Sequence, residues 1–358
     1  MKSLTSIFLP LVLIFSACSN PPAEESGLTA VASVPPTELS LTPATLSALT
    51  PVPEILPTAS SITSFDERLL ATIQIFKEPD EMVLVQGFIW TKTADGRVIQ
   101  IDPATNTIIA DIKVDTATIP HHYCQGLGTD GEDIWVCSAS SEADNTAIDV
   151  VRIDTETQRV IETIKIGKIF EQLDLPFLLD QIWVLTEGGS KLIGINIANN
   201  EISSMIDLGA RCFQLAAAGA VLMATCPLDN LVIQINPERG EVIAQVTLQR
   251  PGYIAGNEDG IWVAQASSIV RLDPATLNPV AIFTNLPEMD SGDIFIMKEA
   301  VWVRHEGGFL YQIDPTNNQF VEQIKIDQNF AGGSVLVTSD SIWATAYDDN
   351  LLVRLSLK

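Results

Sequence analysis

From about residue 69 to the C-terminus, short apolar runs alternate with clusters of Gly, Asp, Asn, Pro and Thr, the rhythm of short β-strands joined by tight turns. One stretch shows the unit: Tyr253 to Gly256, a turn at Asn257-Glu258-Asp259-Gly260, Ile261 to Gln265, Ile269 to Leu272, a turn at Asp273-Pro274-Ala275-Thr276, then Pro279 to Phe283. All six tryptophans follow an apolar residue, as Ile89-Trp90, Ile134-Trp135, Ile182-Trp183, Ile261-Trp262, Val301-Trp302 and Ile342-Trp343. With Leu222 of Val221-Leu222-Met223 as the missing member, the spacings are 45, 48, 39, 40, 40 and 41. A second anchor follows each first one, at Ile101-Asp102-Pro103, Ile153-Asp154, Ile195-Asn196, Ile235-Asn236-Pro237, Leu272-Asp273-Pro274, Ile313-Asp314-Pro315 and Leu355-Ser356. Four antiparallel strands repeated at about 40 residues is the period of a propeller blade, so the expected fold is all-β, a seven-bladed β-propeller. The chain ends after the third strand of the seventh unit. Leu69 to Ile75 is expected to supply the fourth and close the ring, which removes a sheet edge.

The first 66 residues lack this rhythm. Lys2, an apolar run from Ile7 to Phe15 and then Phe15-Ser16-Ala17-Cys18 have the order of a secretory signal, residues 1–17, too short to span a bilayer. Phe-Ser-Ala-Cys resembles the lipobox of bacterial lipoproteins, which implies acylation of Cys18 and an extracytoplasmic, membrane-anchored protein. With Ser19 after the cysteine, the resemblance implies the outer membrane where there are two. Residues 19 to 66 contain 8 Pro, 8 Ser and 7 Thr and no Lys or Arg, so 18–66 is expected to be lipidated cysteine plus tether, and 67–358 the ring.

Composition narrows the partners. Of 358 residues 46% are hydrophobic and 18% charged, which excludes wholesale disorder. A net charge of −25, from 45 acidic against 20 basic side chains, excludes generic nucleic-acid binding. A monomer is expected. The tryptophans are expected to be filler between blades and the Asp-Pro positions turn chemistry.

Besides Cys18 there are four cysteines. Cys124 and Cys137 flank the first turn of the second unit, and Cys212 and Cys226 that of the fourth, so each pair is placed for a cross-strand disulfide and not for a zinc site.

Propeller ligands usually sit over the channel mouth, on the loops that join fourth to first and second to third strands. Lys92, His121, His122, Tyr123, Lys168, Glu187, Arg211, Arg250, Arg304, His305, Glu306 and Asp348 are expected there. That gathering of scarce basic residues suits a protein, a peptide or a small anionic ligand. The first strands hold few ionisable groups, so a metal or an acid/base pair deep in the channel is not expected, and no cofactor.

The Ile-Trp-Val, Arg-Ile-Asp-Pro and Ile-Lys-Ile anchors resemble the YVTN-type β-propeller repeats of bacterial surface and periplasmic proteins. Ile182 to Glu187 with Lys191 to Ile195 is also similar to a blade of virginiamycin B lyase. That family opens a cyclic depsipeptide ester by elimination with a His, a Glu and a magnesium ion. The resemblance implies Glu187 for the glutamate, with His121 or His122 as candidate bases, since Leu173 to Leu179 contains no His. The first expectation is a binding or scaffolding module, and a magnesium-dependent lyase-like enzyme is the alternative.

Overall fold

The computed structural model describes residues 51–58, 61–115, 126–139, 147–168, 174–286, 292–305, 309–325 and 332–357. They build a seven-bladed β-propeller of antiparallel four-stranded sheets. Each blade's first strand faces the central channel: Pro79–Val85, Leu127–Thr129, Phe177–Leu178, Gln214–Ala218, Ile254–Asn257, Gly292–Met297 and Val335–Val337. In the fifth blade the strands Ile254–Asn257, Gly260–Gln265, Ser268–Leu272 and Pro279–Phe283 fall within a residue of the pattern read from the sequence. Leu69–Gln74 pairs antiparallel with Leu351–Ser356, completing the seventh blade from the far end of the chain as expected.

Second strands are buried almost throughout, because each is packed between neighbouring sheets. All six tryptophans lie on them at 1% exposure or less, as core. Register corrects the seventh member. Trp90 pairs with Gln100 and Trp183 with Gly194, and the same place in the fourth blade is Met223 opposite Gln234. Leu222 is instead equivalent to the isoleucine or valine before each tryptophan. Methionine, unbranched and polarisable, fills a gap of that size without a ring.

The third-strand residue opposite the tryptophan ties one blade to the next. Arg152, Arg271 and Arg354 lie over Trp135, Trp262 and Trp343 at 4.9, 5.2 and 5.0 Å. Each also reaches the turn between the third and fourth strands of the following blade. Arg152 donates to the Ile197 carbonyl and Asn200 Oδ1, Arg271 to the Pro315 carbonyl and Asn318 Oδ1, and Arg354 to the Pro103 carbonyl and Asn106 Oδ1. Gln234 donates to the Pro274 carbonyl in the same way. The turns are built to receive them. Asp102, Asp273 and Asp314 cap their own turns, Asn106, Asn200 and Asn318 take positive φ, and a bulge follows in the fourth strand. The Asp-Pro anchors are thus half of an inter-blade latch as well as turns.

The segment expected as tether enters the fold before residue 66. Glu54–Ile55 pairs parallel with the outer strand of the fifth blade, and Ser61–Ser64 with that of the sixth, Gln319–Lys325. A short helix, Phe65–Arg68, leads into the closing strand. Buried Glu322 is the reason: Thr63 Oγ1 and the Arg68 guanidinium both donate to its Oε1, and Arg68 also reaches the Ser356 carbonyl at 2.8 Å. Four residues of strand added at a sheet edge leave no periodic trace in a Pro/Ser/Thr-rich stretch, and proline is tolerated at edges.

Arg354→Ala removes the latch that joins the seventh blade to the first, with two charge-assisted bonds and one cation–π contact. It is expected to cost about 2–3 kcal/mol in urea unfolding. Arg239→Ala, which loses only an exposed pair with Glu241, is expected to cost less than about 0.5 kcal/mol in the same measurement.

Candidate functional site

The seven first strands start at one face, the one fed by loops from the preceding blades. There the channel opens into a cavity of about 460 Å³. Its walls are largely apolar, with Met82, Leu127, Leu215, Ile254, Phe295 and Leu336 among them, but Glu81, Asp174 and Asp293 also line it. Asp80 lies behind Glu81, its carbonyl accepting from Ser334 Oγ at 2.9 Å and Thr345 Oγ1 at 3.0 Å. Few ionisable groups were expected on the first strands, and those present gather as carboxylates in one cavity. The carboxylates come from the first, third and sixth blades, Glu81 and Asp293 near the start of a first strand and Asp174 just before one, and ring closure brings them together. The second and third blades meet closely beside them. A Cβ on Gly128 would lie 2.1 Å from the Leu175 carbonyl oxygen, so only glycine fits there.

Burial governs the charges. It raises Glu81 and Asp174 well above the ordinary carboxylate range, and their acidic neighbours add to the rise. Asp293 is raised by burial to about 6, against the opposing pull of the Val335 and Ile294 amides at 3.0 and 2.7 Å and of Arg304. Arg304, itself lowered to about 10 by burial, donates to the Gly332 and Thr345 carbonyls.

The residues expected at the mouth divide. Lys92 and Arg304 are buried ties at the ends of second strands, where Lys92 Nζ donates to the Cys137 carbonyl at 2.6 Å and faces Asp115 at 3.6 Å. Burial lowers the Lys92 ammonium, with Asp115 opposing. His305 is buried and stacks on Tyr311 at 5.3 Å. Arg211, Arg250, Glu187 and Asp348 are exposed. His121, His122, Tyr123, Cys124, Glu306 and the Lys168 side chain lie outside the described residues.

Glu187 and Arg211 do come together. They border a groove of about 320 Å³ between the third and fourth blades, lined also by Ser190, Phe213 and Leu228, with no histidine among its described lining residues. The Cys212–Cys226 disulfide lies at this groove and pins the first strand of the fourth blade to its second, as expected. Cys137 is buried, and the pairing expected for it rests on Cys124.

Asp293 keeps its proton up to about pH 6 in the folded chain, whereas the unfolded chain releases it in the ordinary carboxylate range, so its contribution to stability falls as pH rises through that window, and Glu81 and Asp174 act in the same direction. Glu81→Gln is expected to raise the unfolding free energy by about 1 kcal/mol or more at about pH 7.5 and to leave it unchanged at about pH 4. Chemical denaturation at the two pH values reads the difference. Replacing Cys212 and Cys226 by Ser removes a cross-link of sequence separation 14 and is expected to cost about 3 kcal/mol in the same assay. No protein-family description and no curated protein sequence matches this chain, which leaves the chemistry of the channel mouth as the guide to function.

Proposed function

We propose that the protein is a lipid-anchored, extracytoplasmic propeller of the YVTN-type class that acts as a binding module, with its ligand seat at the channel mouth. The observation that carries this reading is the cavity itself. Its volume lies within the range of small-molecule sites, its walls are apolar, and a few polar groups converge at one end. Three carboxylates held in apolar surroundings cost stability, and residues kept at such a cost are characteristic of functional sites. The groove at Glu187 and Arg211 is smaller, and both of its charged lining residues are exposed. The anchor is read from Phe15-Ser16-Ala17-Cys18, and acylation there would hold the ring at the membrane surface.

Two experiments test the proposal. Cys18→Ser is expected to move the protein from the membrane fraction to the soluble one and to abolish incorporation of labelled fatty acid; retention of both would remove the anchor. A ligand-observed NMR screen of small molecules against the full chain in detergent is expected to yield hits that Ala217→Leu eliminates, because the added side chain narrows the cavity. Hits that survive the substitution would place binding elsewhere.

A further inference from the structure

We infer that the channel mouth is selective for an organic cation, an ammonium or guanidinium group carried on an apolar body. The inference rests on the reading of the channel as the ligand seat and names the chemistry of what sits there. Glu81 supplies the observation that separates this site from a chance gathering of acids. Its side chain is nine-tenths buried, the residue being 6% exposed, and it lines the cavity. One carboxylate oxygen accepts from the Met82 amide at 3.3 Å, and the other accepts no hydrogen bond from the described residues. The charged groups that act on it are Asp174 and Asp293 from the third and sixth blades and Asp80, its neighbour in the same strand, all of its own sign. Arg304, which faces Asp293, is held to the carbonyls of Gly332 and Thr345. A buried carboxylate among like charges with an empty acceptor lacks a donor bearing positive charge, and a charged hydrogen bond in so dry a place is strong.

The walls set the rest of the ligand. Beyond the acids the cavity is lined by leucine, isoleucine and phenylalanine, and its volume admits a body of several carbons. Among the described residues no three His, Cys, Asp or Glu side chains converge as a metal ion requires. Entry of the cation favours the ionised carboxylates, so binding releases protons and weakens on acidification.

The test uses three probes of one shape, 4-phenylbutylammonium, 4-phenylbutanol and 4-phenylbutanoate, titrated calorimetrically into the full chain in detergent. The ammonium is expected to bind at least about tenfold more tightly than the other two and to lose about tenfold in affinity at about pH 5. Glu81→Gln and Asp174→Asn are each expected to weaken the ammonium about tenfold and to leave the alcohol unchanged, whereas Arg211→Ala in the outer groove changes neither. Both carboxamides relieve buried charge, so the variants are expected to fold, which circular dichroism checks. Equal affinity for ammonium and alcohol would overturn charge selectivity while leaving the channel as the seat. Ammonium binding unchanged by both channel variants would overturn the assignment to these carboxylates. Calcium or manganese that displaces the ammonium and is itself lost in Glu81→Gln would replace the organic cation with a metal. If none of the probes binds, the cation is removed, and the screen with Ala217→Leu stands as the separate test of the seat.

Discussion

Backbone ladders hold each blade of this ring together but end at its edges, so the ring depends on what spans the gap between one sheet and the next. The recurrent solution is an arginine or glutamine on a third strand. The arginines cover the flat face of their own blade's tryptophan, and arginine and glutamine alike donate into a turn of the following blade. One residue thereby joins three things: an aromatic buried between sheets, a capped turn, and the angle between neighbours. The charge is not left dry, since each guanidinium ends on carbonyl and amide oxygens that turn geometry has fixed in advance. Where this tie is absent, as opposite Trp183, glycine stands in the third strand and leaves room for the ring.

Rigid spacing between blades is what makes the channel mouth possible. Asp80 and Glu81, Asp174 and Asp293 are far apart along the chain and sit in three different sheets. They meet only because seven first strands begin at the same height around one axis. Their mutual repulsion is opposed by packing elsewhere, in the tryptophan layers and the latches, so the ring stores at its mouth an electrostatic cost that its body can sustain.

That division explains what was readable in the chain. Trp90 and its counterparts repeat at blade period and announce the fold, and the missing fourth strand of the last blade told where Leu69–Gln74 belongs. The assignment of Leu222 failed by one residue because an apolar triplet has no ring to mark the register, which only the pairing of Met223 with Gln234 resolves. The acids left no motif. Only Pro79–Val85 and Gly292–Met297 among the first strands carry acids, Asp174 lies just before a third, and their meeting at the mouth appears only when distant blades are laid side by side. Lys92 and Arg304 erred in the other direction: a basic residue at the end of a second strand looks solvated in sequence, while here each is needed to bind the carbonyls of the next blade. The Cys212–Cys226 pair was legible because alternate residues on adjacent strands project to one face.

The closing strand has a consequence for the order of events in synthesis. Leu69–Gln74 leaves the ribosome first among the strands of the ring, yet its partner Leu351–Ser356 is made after every other strand of the ring. Until that segment arrives, the N-terminal strand has no sheet to join, and the strap at Glu54–Ile55 and Ser61–Ser64 must wait for the outer edges of the fifth and sixth blades. The nascent ring is therefore an open arc with two unsatisfied ends, and the step that closes it joins its first strand to its last, a contact of the kind that slows folding. Only a finished chain has a channel, so a product cut short within its last blade is an arc without a mouth.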